Sequence, residues 1–121
     1  MGNPDDFQLR IRLGDIVLGP GKADLLEGIR ETGSISAAGR RMSMSYRRAW
    51  QLVEQLNLYF GAPVVATLTG GRGGGGAELT PLGEEIVATY RRMQQQCGVA
   101  IDDDLVRLHG LADPDAGPSK G

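Results

Sequence analysis

The sequence predicts a mainly helical α+β fold with a small β-sheet. Three observations predict it: apolar residues alternate near the N-terminus, later stretches repeat apolar residues with helical spacing, and two β-rich segments flank a run of glycines. A chain of 121 residues is sufficient for one domain. We place this domain at residues 1–110, and we expect the polar, Pro- and Gly-bearing residues 111–121 to be disordered.

The N-terminal part of the chain predicts a hairpin and a helix. Residues 7–13, FQLRIRL, alternate apolar and polar side chains, which is typical of a half-buried strand. Residues 16–18 can pair back on it across a turn at Gly14, and residues 22–32 can form a helix that ends at Gly33.

The central segment predicts two helices joined by a tight turn. Ser34 can cap a short helix over residues 35–41, and Ser45 can cap a longer helix that runs to about Tyr59. Residues 42–44 leave space only for a tight turn between them. The longer helix carries one apolar stripe, formed by Ala49, Leu52, Val53, Leu56 and Phe60.

A glycine-rich run, GGRGGGG, follows Thr69. A phosphate-binding loop of this kind would end in Gly-Lys-Ser/Thr and lead directly into a helix. Here the run leads into Ala77-Glu78-Leu79, which is strand-like, and it follows the β-rich residues 64–69. The run therefore predicts the tip of a hairpin, with an unstructured surface loop as the alternative.

The C-terminal part predicts a long amphipathic helix at about residues 81–109. Thr80 suits the N-cap and Pro81 the first helical position, although Gly83 replaces the Glu of a capping box. Apolar residues recur every three or four positions, at Leu82, Ile86, Tyr90, Met93, Cys97, Ile101, Leu105 and Leu108. This is more apolar surface than a small core can cover, which predicts a two-fold dimer. The alternative is that the stripe packs onto its own domain.

The charge is unevenly distributed along the chain. The formal net charge is −2, but residues 34–73 hold five arginines against Glu54 alone, while both flanking parts are acidic. Local potential attracts phosphates more than total charge does. The basic centre therefore favours a nucleic-acid partner in spite of the negative total.

The composition excludes several other classes of function. A single cysteine and a single histidine argue against a disulfide, a metal site and a catalytic triad, so we expect no enzyme activity and no cofactor. No apolar run approaches the length of a membrane span, and the N-terminus does not look like an export signal. We therefore expect a cytoplasmic protein that does not contact a membrane.

Together, the two central helices indicate a helix-turn-helix, and the hairpin that follows them indicates a wing. In this motif the start of the second helix meets base edges and phosphates, and arginine suits both. The alternative is a generic helical hairpin with a solvated arginine face. The residues expected to enter the major groove are Ser45, Tyr46, Arg47, Arg48 and Gln51. Those expected to hold phosphates or a minor groove are Ser34, Ser36, Thr69 and Arg72.

The stretches GSISAAGRRMSMSYRRAWQLVEQLN and TGGRGGGGAELTPLG, in this order, resemble the N-terminal domain of the ModE-type molybdate-responsive regulators. The resemblance covers about residues 8–100. It implies a winged helix-turn-helix close in fold to the LysR-type DNA-binding domain, a palindromic operator in double-stranded DNA, and Arg72 at a basic wing-tip position. It also implies a homodimer formed through residues 8–13 and 81–108.

One departure from that family limits what the resemblance implies. Its molybdate-sensing members carry a separate oxyanion-binding region downstream, whereas this chain stops at residue 121. We therefore expect the DNA-binding role and the dimer to carry over but not molybdate, and we leave open an unidentified small-molecule effector or partner protein. The rival hypothesis is a winged-helix protein–protein adaptor that docks through its acidic ends, although an adaptor would not need the basic centre.

Overall fold

The computed structural model describes residues 7–68 and 76–112 of the chain. Four helices and two small antiparallel sheets confirm the predicted fold class. In chain order the elements are β1 Ile11–Leu13, β2 Ile16–Leu18, α1 Pro20–Thr32, α2 Ile35–Arg41, α3 Tyr46–Phe60, β3 Val65–Leu68, β4 Gly76–Leu79 and α4 Pro81–Ala112. The glycine-rich tip with Thr69 and Arg72, and most of the expected disordered tail, lie outside the described residues.

The chain divides into two compact units. Residues 10–90 form one unit, which contains both sheets and the first three helices. The described residues on either side of this range, 7–9 and 91–112, belong to the second unit. The predicted domain boundaries remain a prediction.

The N-terminal hairpin is shorter than predicted. Strand β1 begins at Ile11 rather than at residue 7, and it pairs with β2 in a register that runs from Ile11 opposite Leu18 to Leu13 opposite Ile16. The pairing stops there because α1 begins at Pro20, two residues after Leu18, so β2 has no further residues to offer. The alternation persists beyond the strand, since Phe7 and Leu9 are half-buried while Gln8 is exposed.

Helix α1 begins two residues earlier than predicted. Proline suits the first helical position because its φ is already helical and the missing N–H would have no partner there. The helix ends as predicted at Gly33, which adopts a left-handed φ of 72° and donates its N–H to the Ile29 carbonyl. Its predicted apolar residues, Leu25, Leu26 and Ile29, are completely buried.

Helices α2 and α3 form the predicted helix-turn-helix. Their N-caps are Ser34 and Ser45, whose Oγ atoms accept the backbone N–H groups of residues 37 and 48, each at 3.0 Å. The turn between the helices includes Ser43, which has a left-handed φ of 58°. Of the predicted α3 stripe, Ala49, Leu52, Val53 and Leu56 are buried, and Phe60 is half-buried.

Small residues allow the first three helices to cross closely. A Cβ added at Gly28 of α1 would lie 3.0 Å from the Cβ of Ala38 in α2, and one added at Gly39 would lie 3.3 Å from the Cβ of Ala49 in α3. Larger side chains at these crossings would push the helices apart. The helix-turn-helix is thereby held tightly against α1.

Strands β3 and β4 form the predicted antiparallel pair, from Val65 opposite Leu79 to Leu68 opposite Gly76. The β4 strand is tied to the end of α1, because the Ala77 N–H donates to the Gly33 carbonyl at 2.9 Å. The base of the pair is closed by the Thr80 N–H, which donates to the Val64 carbonyl at 3.1 Å. The hairpin is therefore fixed to the helices at its base.

Helix α4 starts at the predicted residue and shows why the capping box is absent. The Thr80 Oγ1 atom accepts the Gly83 N–H at 3.1 Å and donates to the Pro63 carbonyl at 2.8 Å. A Cβ at Gly83 would clash with the Val64 carbonyl oxygen. A Glu could not occupy this position, so the cap depends on Thr80 alone.

The apolar stripe of α4 changes character along its length. Ile86, Val87 and Tyr90 are buried, while Cys97 is half-buried. The helix continues through Gly98, and its large exposed apolar residues lie beyond that point: Val99, Val106, Leu108 and Leu111. Among the described residues, no helix has both the length and the apolarity to cross a membrane.

Candidate nucleic-acid interface

The first turns of α3 present all five predicted major-groove residues to solvent. Ser45, Tyr46, Arg47, Arg48 and Gln51 are all exposed. They are exposed because Ala49, Leu52 and Val53 turn the opposite face of the helix into the core. The periodicity of the sequence thus places this set of side chains on one accessible surface.

The arginines of the central segment differ in their partners. Arg41 pairs with Glu31 at 2.9 Å, and Arg40 donates to the Ser36 Oγ at 2.9 Å. Within residues 7–68 and 76–112, neither Arg47 nor Arg48 forms an ion pair with a carboxylate. Among the described residues, Arg41 is thus the one arginine of the helix-turn-helix that a carboxylate neutralises, and Arg47 and Arg48 stand side by side at the start of α3.

Lys22 is a neighbour of this surface that the sequence did not indicate. Its Nζ donates to the Val17 carbonyl at 3.0 Å. Burial, and secondarily the positive charge of Arg48, lower the pKa of Lys22 from its usual value of 10.5. Lys22 belongs to the acidic N-terminal third of the sequence. Only a helix start at Pro20 would have indicated that Lys22 lies in the first turn of α1.

Ser34, Ser36 and Tyr46 come together at a groove of about 270 Å³ between the helix-turn-helix and the β3–β4 pair. Thr67 and Leu68 of β3 line the opposite side, and Trp50 lies along the wall. The Trp50 side chain is half-buried. Its indole N–H donates to the Tyr46 hydroxyl, and the two rings meet edge to face at 6.4 Å between centroids.

The remaining predicted contacts fall in different places. Ser45 is exposed, and its Oγ atom caps α3, so this side chain stabilises the helix whether or not it contacts DNA. Thr69 and Arg72 lie outside the described residues. In the described parts of the chain there is no group of three or more His, Cys, Asp or Glu side chains that could hold a metal ion.

The order of elements, the capped second helix and the following β-hairpin define a winged helix-turn-helix protein. Residues 23–84, about half of the chain, match the family model described as bacterial regulatory helix-turn-helix protein, lysR family. The chain belongs to this family.

Curated relatives carry names linked to molybdenum. The chain is 46% identical over 83 residues to the molybdenum-pterin-binding protein MopB of Rhodobacter capsulatus, covering 69% of this chain and 30% of that protein. It is 35% identical over 96 residues to the DNA-binding transcriptional dual regulator ModE of Escherichia coli K12, covering 76% of this chain and 37% of that protein. The chain thus spans about a third of the length of the curated relatives that it matches, in agreement with the resemblance in the sequence.

A solved structure shares the fold. The chain is similar to one in the crystal structure of a CbnR_DBD–DNA complex, with a TM-score of 0.54 and coverage of 69% of this chain and 91% of that one. The sequences are 21% identical, so the similarity is one of fold.

Proposed function

We propose that this protein is a sequence-specific DNA-binding transcription regulator that acts as a homodimer on a palindromic operator. The start of α3 enters the major groove, and the wing and the start of α2 hold the backbone or a minor groove. The proposed major-groove residues are Ser45, Tyr46, Arg47, Arg48 and Gln51. The proposed phosphate or minor-groove residues are Ser34, Ser36, Thr69 and Arg72.

The observation that carries this proposal is the pair Arg47–Arg48 at the exposed start of α3. Both guanidinium groups are exposed, and neither pairs with a carboxylate among the described residues. An arginine that is free in this position can form two hydrogen bonds to a guanine edge or a charge-assisted bond to a phosphate. A protein–protein adaptor would have no comparable need for two adjacent uncompensated arginines.

The long helix α4 supports the dimer. Val99, Val106 and Leu108 are each about three-fifths exposed in the single chain, and Leu111 is similarly exposed. Leu108 and Leu111, three residues apart, share one face of the helix, Val99 and Val106, seven residues apart, share another, and exposed apolar faces favour association. A two-fold dimer presents two recognition helices, which would match two half-sites about one helical turn of DNA apart.

The proposal also gives the protein a place in the cell and a set of partners. Bacterial DNA lies in the cytoplasm, so a DNA-binding regulator would act there. The proposed partners are double-stranded DNA and a second copy of the chain, and no cofactor is required.

Selection from a library of random duplexes tests the proposal. We expect the purified protein to enrich one two-fold symmetric motif, with half-sites about 10 base pairs apart from centre to centre. The double variant Arg47→Ala/Arg48→Ala is the matched control, because both side chains are exposed and their truncation leaves the core unchanged. An unenriched pool from the wild-type protein would contradict the proposal and favour the adaptor.

A further inference from the structure

The groove beside Tyr46 has an unusual arrangement of hydrogen-bonding groups. Four of its described lining residues carry hydroxyls, namely Ser34, Ser36, Tyr46 and Thr67, and Trp50 and Leu68 add apolar surface. The groove opens beside the exposed start of α3, and its volume of about 270 Å³ exceeds that of a few water molecules. It is therefore large enough to hold a group from a ligand that the α3 surface binds.

Three of these hydroxyl oxygens already accept a hydrogen bond from within the chain. Ser34 Oγ accepts the Ala37 N–H at 3.0 Å, and Ser36 Oγ accepts an N–H of Arg40 at 2.9 Å. The Tyr46 hydroxyl accepts the indole N–H of Trp50. Backbone, guanidinium and indole N–H groups can only donate, so the direction of each bond is fixed.

Each of the three hydroxyls consequently keeps its own hydrogen for another acceptor. None of the three donates to a protein acceptor within the described parts of the chain. Among the described residues that line the groove there is no Asp or Glu to receive these hydrogens. The groove thus presents three hydrogen-bond donors, two from the start of α2 and one from the start of α3, to a ligand group that accepts hydrogen bonds.

A phosphodiester matches this pattern better than a base edge does. Phosphate oxygens only accept hydrogen bonds, whereas the bases of a duplex present donors and acceptors in a mixture. The carbon face of the adjoining sugar can pack against Trp50 and Leu68, the latter being 47% exposed. The hydroxyls and the apolar wall would thus contact the two parts of one backbone unit.

We propose that this groove binds one sugar–phosphate unit of the DNA backbone and that Tyr46 donates its hydroxyl hydrogen to the phosphate. Trp50 is a positioning residue, because its N–H fixes Tyr46 as a donor and its ring holds the phenol in place. Tyr46 thereby anchors α3 in the major groove without selecting a base. This inference rests on the proposed function.

Duplexes in which a neutral methylphosphonate replaces one phosphate at a time test the inference. Binding of the wild-type protein and of Tyr46→Phe would be measured by fluorescence anisotropy on the selected duplex, with one methylphosphonate at a time along each strand. We expect Tyr46→Phe to weaken binding about tenfold, as for loss of a hydrogen bond to a charged group. A methylphosphonate at one position should weaken DNA binding by the wild-type protein and have no further effect on binding by Tyr46→Phe. The salt slope should stay unchanged, because the lost group is neutral.

A matched variant and a second substitution sharpen the test. Tyr59→Phe removes a hydroxyl from a tyrosine at the other end of α3 that is 46% exposed, and it should bind as the wild type does. Trp50→Phe keeps an aromatic ring but removes the N–H. In this variant, the effect of Tyr46→Phe on binding should therefore depend less on whether that one phosphate is replaced, a dependence that we call the coupling between Tyr46 and the phosphate. Thermal unfolding of each variant would establish that the fold is intact.

The outcomes separate this inference from the proposed function. If the wild-type protein binds the duplex but Tyr46→Phe weakens binding to every methylphosphonate duplex equally, the groove assignment is overturned. If a 7-deazapurine, rather than a methylphosphonate, removed the effect of Tyr46→Phe on binding, Tyr46 would contact a base and the groove assignment would be overturned. If Trp50→Phe left the coupling between Tyr46 and the phosphate unaltered, Trp50 would not be a positioning residue. Failure of the wild-type protein to prefer the selected duplex over a scrambled one would count against the proposed function itself.

Discussion

At the scale of single residues, Arg47 and Arg48 differ from the other described arginines of the helix-turn-helix because no described residue bonds to their guanidinium groups. Arg40 and Arg41 are held by Ser36 and Glu31, which fixes their side chains against the fold. A guanidinium that is already bonded would have to break that bond to reach DNA. Of these four arginines, only Arg47 and Arg48 belong to the predicted major-groove set, and the bonds of Arg40 and Arg41 give a physical reason for the difference.

Arg47 should determine part of the operator sequence. We expect Arg47→Ala to weaken binding to the best site by about 1–3 kcal/mol and to relax the preference at one base pair in each half-site. The measurement is a second round of duplex selection together with binding titrations. Arg107→Ala, which removes an exposed arginine from α4, is the control and should leave the selected motif unchanged. An Arg47 variant with an unaltered motif would remove this residue from the base-reading set.

Lys22 should titrate below the usual range. The protein has two lysines, so the side-chain signals of Lys22 and Lys120 can be assigned simply by NMR. We expect the pKa of Lys22 to lie below its usual value of 10.5, and we expect Arg48→Gln to raise the pKa of Lys22 by removing the second cause of its shift. Titration of Lys22 at or above 10.5 would contradict the burial seen at the start of α1.

The sign of the effect on stability follows from that shift. Between the lowered folded pKa of Lys22 and 10.5, the unfolded chain binds more protons than the folded one. The contribution of Lys22 to the free energy of unfolding therefore rises with pH through this window. The gain should be complete above pH 10.5 and absent below the folded pKa.

At the scale of elements, the start of α4 closes the hairpin against the helices. Gly83 lets the first turn of α4 approach the Val64 carbonyl, to which Thr80 also bonds. We expect Gly83→Ala to destabilise the protein by about 1–3 kcal/mol, because the added methyl group must displace backbone. Chemical denaturation monitored by circular dichroism measures the change.

The same helix offers the control for this substitution. A Cβ at Gly110 would meet nothing within 4 Å, so Gly110→Ala should be neutral or slightly stabilising through helix propensity. Equal effects of the two substitutions would show that the contact with Val64 carries no energetic weight.

Most of the elements could be predicted because their signals are local. The serine caps and apolar stripes predicted α2 and α3 to within a residue, and Thr80-Pro81 predicted the start of α4. The length of β1 could not be predicted, since it depends on where its partner β2 meets α1. Alternation alone gives the face of a strand and not the extent of its pairing.

The candidate site was only partly predictable for a related reason. Exposure of Arg47, Arg48 and Gln51 follows from the period of α3. The donor arrangement at Ser34, Ser36 and Tyr46 does not, because it depends on contacts made across turns and on the position of β3. Trp50 shows the difference most clearly, since its side chain both packs and orients a neighbour.

At the scale of the whole molecule, the proposed function requires two copies of the chain. We expect the protein to sediment at twice the 12.9 kDa of one chain. Leu108→Glu should shift it toward the monomer, since Leu108 is 62% exposed in the single chain and can be changed without disturbing a core. Arg107→Glu, at the adjacent exposed position off the predicted stripe, should remain dimeric. A wild-type protein that sediments as a monomer at all concentrations would contradict the dimer.

The measurement that tests the central claim most directly is fluorescence anisotropy of the wild-type protein on a labelled duplex from upstream of its own gene. It would be made with a scrambled competitor and over a series of salt concentrations. We predict binding that survives the competitor and weakens steeply with salt, since several phosphates must be neutralised. No binding even at low salt, with the protein folded, would contradict a DNA-binding function.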